Sequence, residues 1–134
     1  MQDIVLLKKR IIADKRGYFF EAYNRDTKKS LVDVLFKQSS VSVSKKNVLR
    51  GLHYQWDKPM GKLVRVVRGS ILSDNTIVMY KQTAYYNPLG EGCINPLRSK
   101  LDFNWPIEKH KIIISEKDLN SPSFENYSKK RNKQ

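Results

Sequence analysis

A single cysteine in 134 residues, Cys93, excludes an internal disulfide and fits a reducing compartment, so the expected location is the cytoplasm. Long apolar runs are also missing. The first, Ile4 to Leu7, stops at Lys8 and Lys9, far short of a signal-peptide core or of the roughly twenty residues that cross a bilayer. No membrane segment is therefore expected. Histidine is scarce as well: His53 and His110 lie far apart with no second His at ligand spacing, so no metal site is expected. Cys93, between Gly92 and Ile94, has no acid–base partner nearby in sequence and is not read as a nucleophile.

Acidic residues are few, 13 against 26 basic ones, which leaves a net charge of +13. Such an excess concentrates anions at the surface, and nucleic acid, phosphorylated metabolites and anionic lipid all qualify as partners. A solvated, lysine-rich surface explains the composition equally, because pairs such as Lys8/Lys9, Lys28/Lys29 and Lys45/Lys46 are scattered. Lys129, Lys130, Arg131 and Lys133 crowd the segment 128–134 with no apolar residue among them. That segment reads as a disordered basic tail behind a single domain over 1–127.

Short β-like runs dominate: Ile4 to Leu7, Tyr18 to Tyr23, Val41 to Val43, Val48 to Gln55, Lys62 to Ile71 and Thr76 to Gln82, separated by Gly, Pro, Asn and Asp. One helix is expected near 27–35, capped by Asp26 or Thr27, with Leu31, Val34 and Leu35 as its apolar stripe. Many short strands with one helix point to an all-β sandwich, barrel or jelly roll.

The chemistry concentrates in Val48-Leu49-Arg50-Gly51-Leu52-His53-Tyr54-Gln55 and in Gly61-Lys62-Leu63-Val64-Arg65-Val66-Val67-Arg68-Gly69. On a sheet face lining a cavity, Arg50 would neutralise a phosphate, His53 would move a proton and Lys62 would stabilise an oxyanion. The same residues are compatible with a merely hydrogen-bonded histidine and a lysine reaching for solvent. Strand alternation adds a constraint: in an unbroken strand Arg50 and His53 face opposite ways. Gly51 permits a local irregularity that re-aims one of them, so irregular pairing is expected over Arg50 to Leu52.

With these blocks, and with Arg16-Gly17-Tyr18-Phe19-Phe20-Glu21, Tyr80-Lys81-Gln82-Thr83-Ala84-Tyr85-Tyr86-Asn87-Pro88, Asn104-Trp105-Pro106 and Ile114-Ser115-Glu116-Lys117-Asp118, the chain resembles the dTDP-4-dehydrorhamnose 3,5-epimerases. The resemblance implies a cupin-like jelly roll, no cofactor, a homodimer, and proton removal and return at C3 and C5 of a dTDP-linked 4-keto-6-deoxy sugar. By the family pattern His53 is the base, Asp118 orients it, Tyr80 is the acid and Lys62 holds the enolate oxygen. Arg16 and Arg50 match pyrophosphate or sugar contacts, Glu21, Gln38, Glu91 and Lys117 match nucleotide-pocket positions, and Tyr86 packs either against the nucleotide or in a core or interface. Where the family commonly has Asp-Asn after the glutamine, this chain has Ser39 and Ser40.

A larger departure lies between Ile71 and Leu72, where the family carries about forty more residues, including several central strands and a His-Gly-Phe stretch that touches substrate. A truncated jelly roll is the expected consequence, with apolar faces uncovered at about 25 cal/mol per Å². Three readings follow: an active epimerase, an inactive remnant or sugar-nucleotide binder, and a basic nucleic-acid-binding protein.

Overall fold

A computed structural model describes residues 4–28, 34–70, 73–98, 100–101 and 103–131. They form two compact units, Met1–Leu35 and Phe36–Gln134. The expected junction of the deletion, Ile71 and Leu72, lies outside the described residues.

The first unit holds a hairpin of β1 (Ile12–Asp14) and β2 (Gly17–Phe19), in register Ile12 to Phe19. Its turn is closed by Asp14, whose Oδ1 accepts from the Arg16 N–H at 2.8 Å while its Oδ2 pairs with the guanidinium at 2.6 Å. The pair is exposed, so it shapes the turn more than it stabilises the unit. Helix α1 (Arg25–Lys28) starts earlier than expected, because the Asn24 side chain accepts from the Asp26 N–H at 2.9 Å and takes the capping role assigned to Asp26 or Thr27. Of the expected apolar stripe, Val34 and Leu35 lie outside any helix and are exposed, and Leu31 lies outside the described residues. The strand expected at Ile4 to Leu7 is absent too, with Ile4, Val5 and Leu6 exposed to solvent. β2 ends at Phe19 rather than at Tyr23, since β1 offers only three residues to pair with.

In the second unit, β3 (Gln38–Ser44), β6 (Thr76–Gln82) and β5 (Lys62–Arg68) form an antiparallel sheet in the order β3-β6-β5. Register sets Ser40, Tyr80 and Val64 abreast, and next to them Gln38, Gln82 and Lys62. Side chains abreast share a face, so Tyr80 and Lys62 project to the same side. A second antiparallel pair joins β4 (His53–Gln55) to β7 (Glu91–Cys93), with His53 opposite Cys93 and Tyr54 opposite Gly92. The strand expected from Val48 thus begins only at His53. Val48 makes an isolated parallel bridge to Ile113, and Gly51 takes φ +121°, a conformation few side chains tolerate.

Behind β7, Asn95 is fully buried and hydrogen-bonded throughout: its Nδ2 donates to the Leu119 carbonyl at 2.6 Å and its Oδ1 accepts from Leu97 and Arg98 N–H at 2.8 and 3.1 Å. This ties α2 (Glu116–Leu119) to the end of the β4–β7 pair. A further helix, α3 (Phe124–Arg131), includes residues 128–131 of the expected disordered tail. Its Tyr127 ring lies 4.9 Å from that of Tyr54, an apolar anchor that the basic run itself does not offer. Among the described residues only Ile94 and Ile107 are buried hydrophobics.

The Tyr54 ring lies over Gly92, where an added Cβ would come within 2.1 Å of it. With Tyr127 on the ring as well, there is little room to yield. Gly92→Ala should therefore lose about 1–3 kcal/mol of stability in urea denaturation. An unchanged midpoint would show that Tyr54 moves freely.

Candidate active site

Helix α2 follows from a local signal: Ser115 and Asp118 have the spacing of a capping box. Ser115 Oγ accepts from the Asp118 N–H at 3.1 Å, as such a cap requires. The carboxylate, however, does not turn back to the helix start. It points into the unit, where only 3% of Asp118 is exposed.

There Oδ1 lies 2.7 Å from His53 Nε2 and 3.3 Å from Cys93 Sγ, and Oδ2 accepts from the Gly51 N–H at 3.3 Å. Burial pushes the Asp118 pKa up, but the bonds from His53, Cys93 and Gly51 outweigh it and hold the carboxyl below its ordinary range. The expected irregularity at Arg50 to Leu52 is therefore present and useful. It turns the Gly51 amide onto Asp118 and lets Arg50 and His53 line the same cavity.

That cavity has a volume of about 700 Å³. His53, Asp118, Lys62 and Tyr80 all line it, and so do Arg50, Tyr86, Glu91 and Lys117. Arg50 is steadied by its Nε on Ser44 Oγ at 3.0 Å and its Nη2 on the Val43 carbonyl at 3.1 Å, which leaves Nη1 for an anion. Lys117 Nζ pairs with Glu91 Oε2, the oxygen that also accepts from Tyr86 Oη at 3.1 Å. Burial raises the Glu91 pKa, yet Lys117 and Tyr86 more than reverse this and hold it low, while Glu91 holds the Lys117 ammonium up. Burial and Glu91 together raise the Tyr86 phenol.

Gln38 and Ser40 stand one step back. Gln38 Oε1 accepts from the Tyr86 N–H at 2.8 Å, its Nε2 donates to Ser40 Oγ at 3.2 Å, and Ser40 donates to Gln82 Oε1 at 3.1 Å. They position the cavity's Tyr86 and Gln82 rather than line it. Arg16 and Glu21 belong to the first unit, where Arg16 pairs with Asp14 and Glu21 Oε2 accepts from Asn24 Nδ2 at 2.9 Å.

The family model for dTDP-4-dehydrorhamnose 3,5-epimerase matches this chain over residues 1–73 and 70–126. The chain belongs to that family. The epimerase of Methanothermobacter thermautotrophicus is 32% identical over 160 positions, covering 87% of this chain and 86% of the relative. That of Salmonella typhimurium is 30% identical, covering 90% of each. Because 160 positions exceed the 134 residues here, part of the relative has no counterpart, and the two matched pieces meet where the deletion was expected. The solved dTDP-4-dehydrorhamnose 3,5-epimerase of Elizabethkingia anophelis superposes with a TM-score of 0.78 at 28% identity, covering 89% of this chain and 90% of that one. A Legionella pneumophila dTDP-6-deoxy-D-glucose-3,5-epimerase, solved with dTDP-4-keto-L-rhamnose, gives 0.76 at 26%, covering 86% and 84%. The strands thus belong to the all-β, cupin-like class of these epimerases.

Sequence spacing missed Cys93, Gln82 and Ser115. The Ser115–Asp118 spacing would have flagged the cap. Nothing local marks Cys93, which reaches Asp118 only through cross-strand pairing with His53.

Removing the Asp118 carboxylate strips three donors of their shared acceptor. Because the His53 side chain is 33% exposed and can turn to water, the loss is that of buried hydrogen bonds rather than of a fully buried ion pair. Asp118→Ala should destabilise by about 1–3 kcal/mol in chemical denaturation, and Asp118→Asn by less. Equal stability in all three proteins would refute the shared-acceptor description.

Proposed function

We propose that this chain epimerises a dTDP-linked 4-keto-6-deoxy sugar by proton abstraction and return at C3 and C5. The observation that carries the reading is the convergence of the His53–Asp118 pair, Lys62 and Tyr80 on one cavity. Its volume of about 700 Å³ lies within the range of small-molecule sites.

A C4 ketone acidifies the hydrogens on both neighbouring carbons, so the enzyme must supply a base, a place for the enolate charge and an acid on the opposite face. His53 Nε2 is held by Asp118, which leaves Nδ1 to take the proton. The buried carboxylate then stabilises the imidazolium that forms. Lys62 stabilises charge developing on the ketone oxygen, and Tyr80 returns a proton from β6, a different wall from the β4 that carries His53. Arg50 suits the pyrophosphate, while Tyr86, Glu91 and Lys117, joined by their own contacts, suit the nucleotide end.

A homodimer in the cytoplasm belongs to the same proposal. Val41 and Val43 are 61% and 56% exposed on β3, an edge strand that a second chain can extend. The single thiol of Cys93 fits a reducing location, and among the described residues no helix is long and apolar enough to cross a membrane.

Incubation with dTDP-4-keto-6-deoxyglucose in heavy water should place deuterium at C3 and C5 with inversion. His53→Ala should slow this about 10²–10⁴-fold. Tyr80→Phe should still exchange hydrogen but fail to invert. Nucleotide-sugar binding without any deuterium uptake would instead support the non-catalytic binder, which the missing block favours. Sedimentation should give a dimer that Val41→Lys converts to monomer, and a monomeric parent chain would remove the dimer from the proposal.

A further inference from the structure

His53 and Cys93 each direct a ligand atom at the same carboxylate oxygen of Asp118. All three atoms lie within 4.8 Å of one another, with 2.7 Å between His53 Nε2 and Asp118 Oδ1 and 3.3 Å between Cys93 Sγ and that same oxygen. A tetrahedral zinc ion with bonds of about 2.0–2.3 Å needs its ligand atoms about 3.3–3.7 Å apart. The Cys93–Asp118 separation already fits that spacing, whereas the 2.7 Å His53–Asp118 hydrogen bond has to open by about 0.6 Å or more to admit an ion.

We infer that this cluster is a binding site for a thiophilic divalent cation such as zinc. One imidazole nitrogen, one sulfur and one carboxylate oxygen form the mixed set that zinc takes in sites with three protein ligands, and the fourth position goes to water. His53 and Asp118 line the cavity, which gives the ion its path and the water its place. The framework is already built, since His53 and Cys93 face each other across the β4–β7 pair and Asp118 is fixed by the Ser115 cap. On binding, the Cys93 thiol releases its proton to solvent, and His53 adopts the tautomer whose Nε2 lone pair meets the ion. An occupied site takes His53 away from proton transfer, so the ion acts as an inhibitor. Binding stands apart from the epimerase reading, and only this inhibitory consequence rests on it.

Cobalt titrated anaerobically into the purified full chain tests binding directly. A thiolate-to-cobalt charge-transfer band should appear, saturate at one ion per chain and be displaced by zinc. The chain has one cysteine, so such a band can come only from Cys93. Cys93→Ser should lose the band and weaken zinc binding at least about tenfold, with an unchanged circular dichroism spectrum showing that it folds. His110→Ala should leave both intact, since His110 lies in another cluster with Glu108. No band, half an ion per chain, or zinc binding unaffected by Cys93→Ser would each overturn the inference. Failure of deuterium uptake in metal-free protein would bear on the epimerase reading alone.

Discussion

A single buried carboxylate organises the second unit. Asp118 accepts from an imidazole, a thiol and a backbone amide that arrive from β4, β7 and the irregular stretch before β4. Leaving such a group unpaired in the interior costs more than a typical hydrogen bond contributes, so the three donors are held where the carboxylate can be satisfied. The fold meets this demand from both sides. Ser115 caps the short helix that presents Asp118, and Asn95 clamps that helix to the end of β7. Apolar packing contributes little here, with only Ile94 and Ile107 buried among the described hydrophobics.

That balance matches the departure from the family at Ile71 and Leu72. Val64 and Val66, on the sheet face that also carries Lys62 and Tyr80, stand more than half exposed. The cavity walls persist because they are pinned by polar contacts that do not run through the missing block. Gln38 to Tyr86, Ser40 to Gln82, and Lys117 to Glu91 all join elements that remain.

The two halves of the site were legible to different degrees. β6 is readable to the residue from its β-branched run, and β5 nearly so, because both are rich in β-branched residues and end at clear breakers. The irregularity at Gly51 was readable too, since parity forbids Arg50 and His53 from sharing a wall otherwise. β7 was not, as Glu-Gly-Cys has no strand pattern and pairs only because His53 to Gln55 lie alongside. Of the helix expected near 27–35 only the start up to Lys28 lies within the described residues, begun early, at Arg25, by Asn24, and Val34 and Leu35 lie outside any described helix. Charge alone marks the basic run after Tyr127 as disordered, whereas the Tyr54–Tyr127 contact sits on a helix that runs through residue 131.

The contact between Tyr54 and Tyr127 reaches beyond local packing. Tyr54 is the residue after His53, so the ring that anchors α3 also sets the backbone from which the imidazole springs. A substitution that lifts α3 off that ring is therefore felt at the imidazole, although no described residue of the helix lines the cavity.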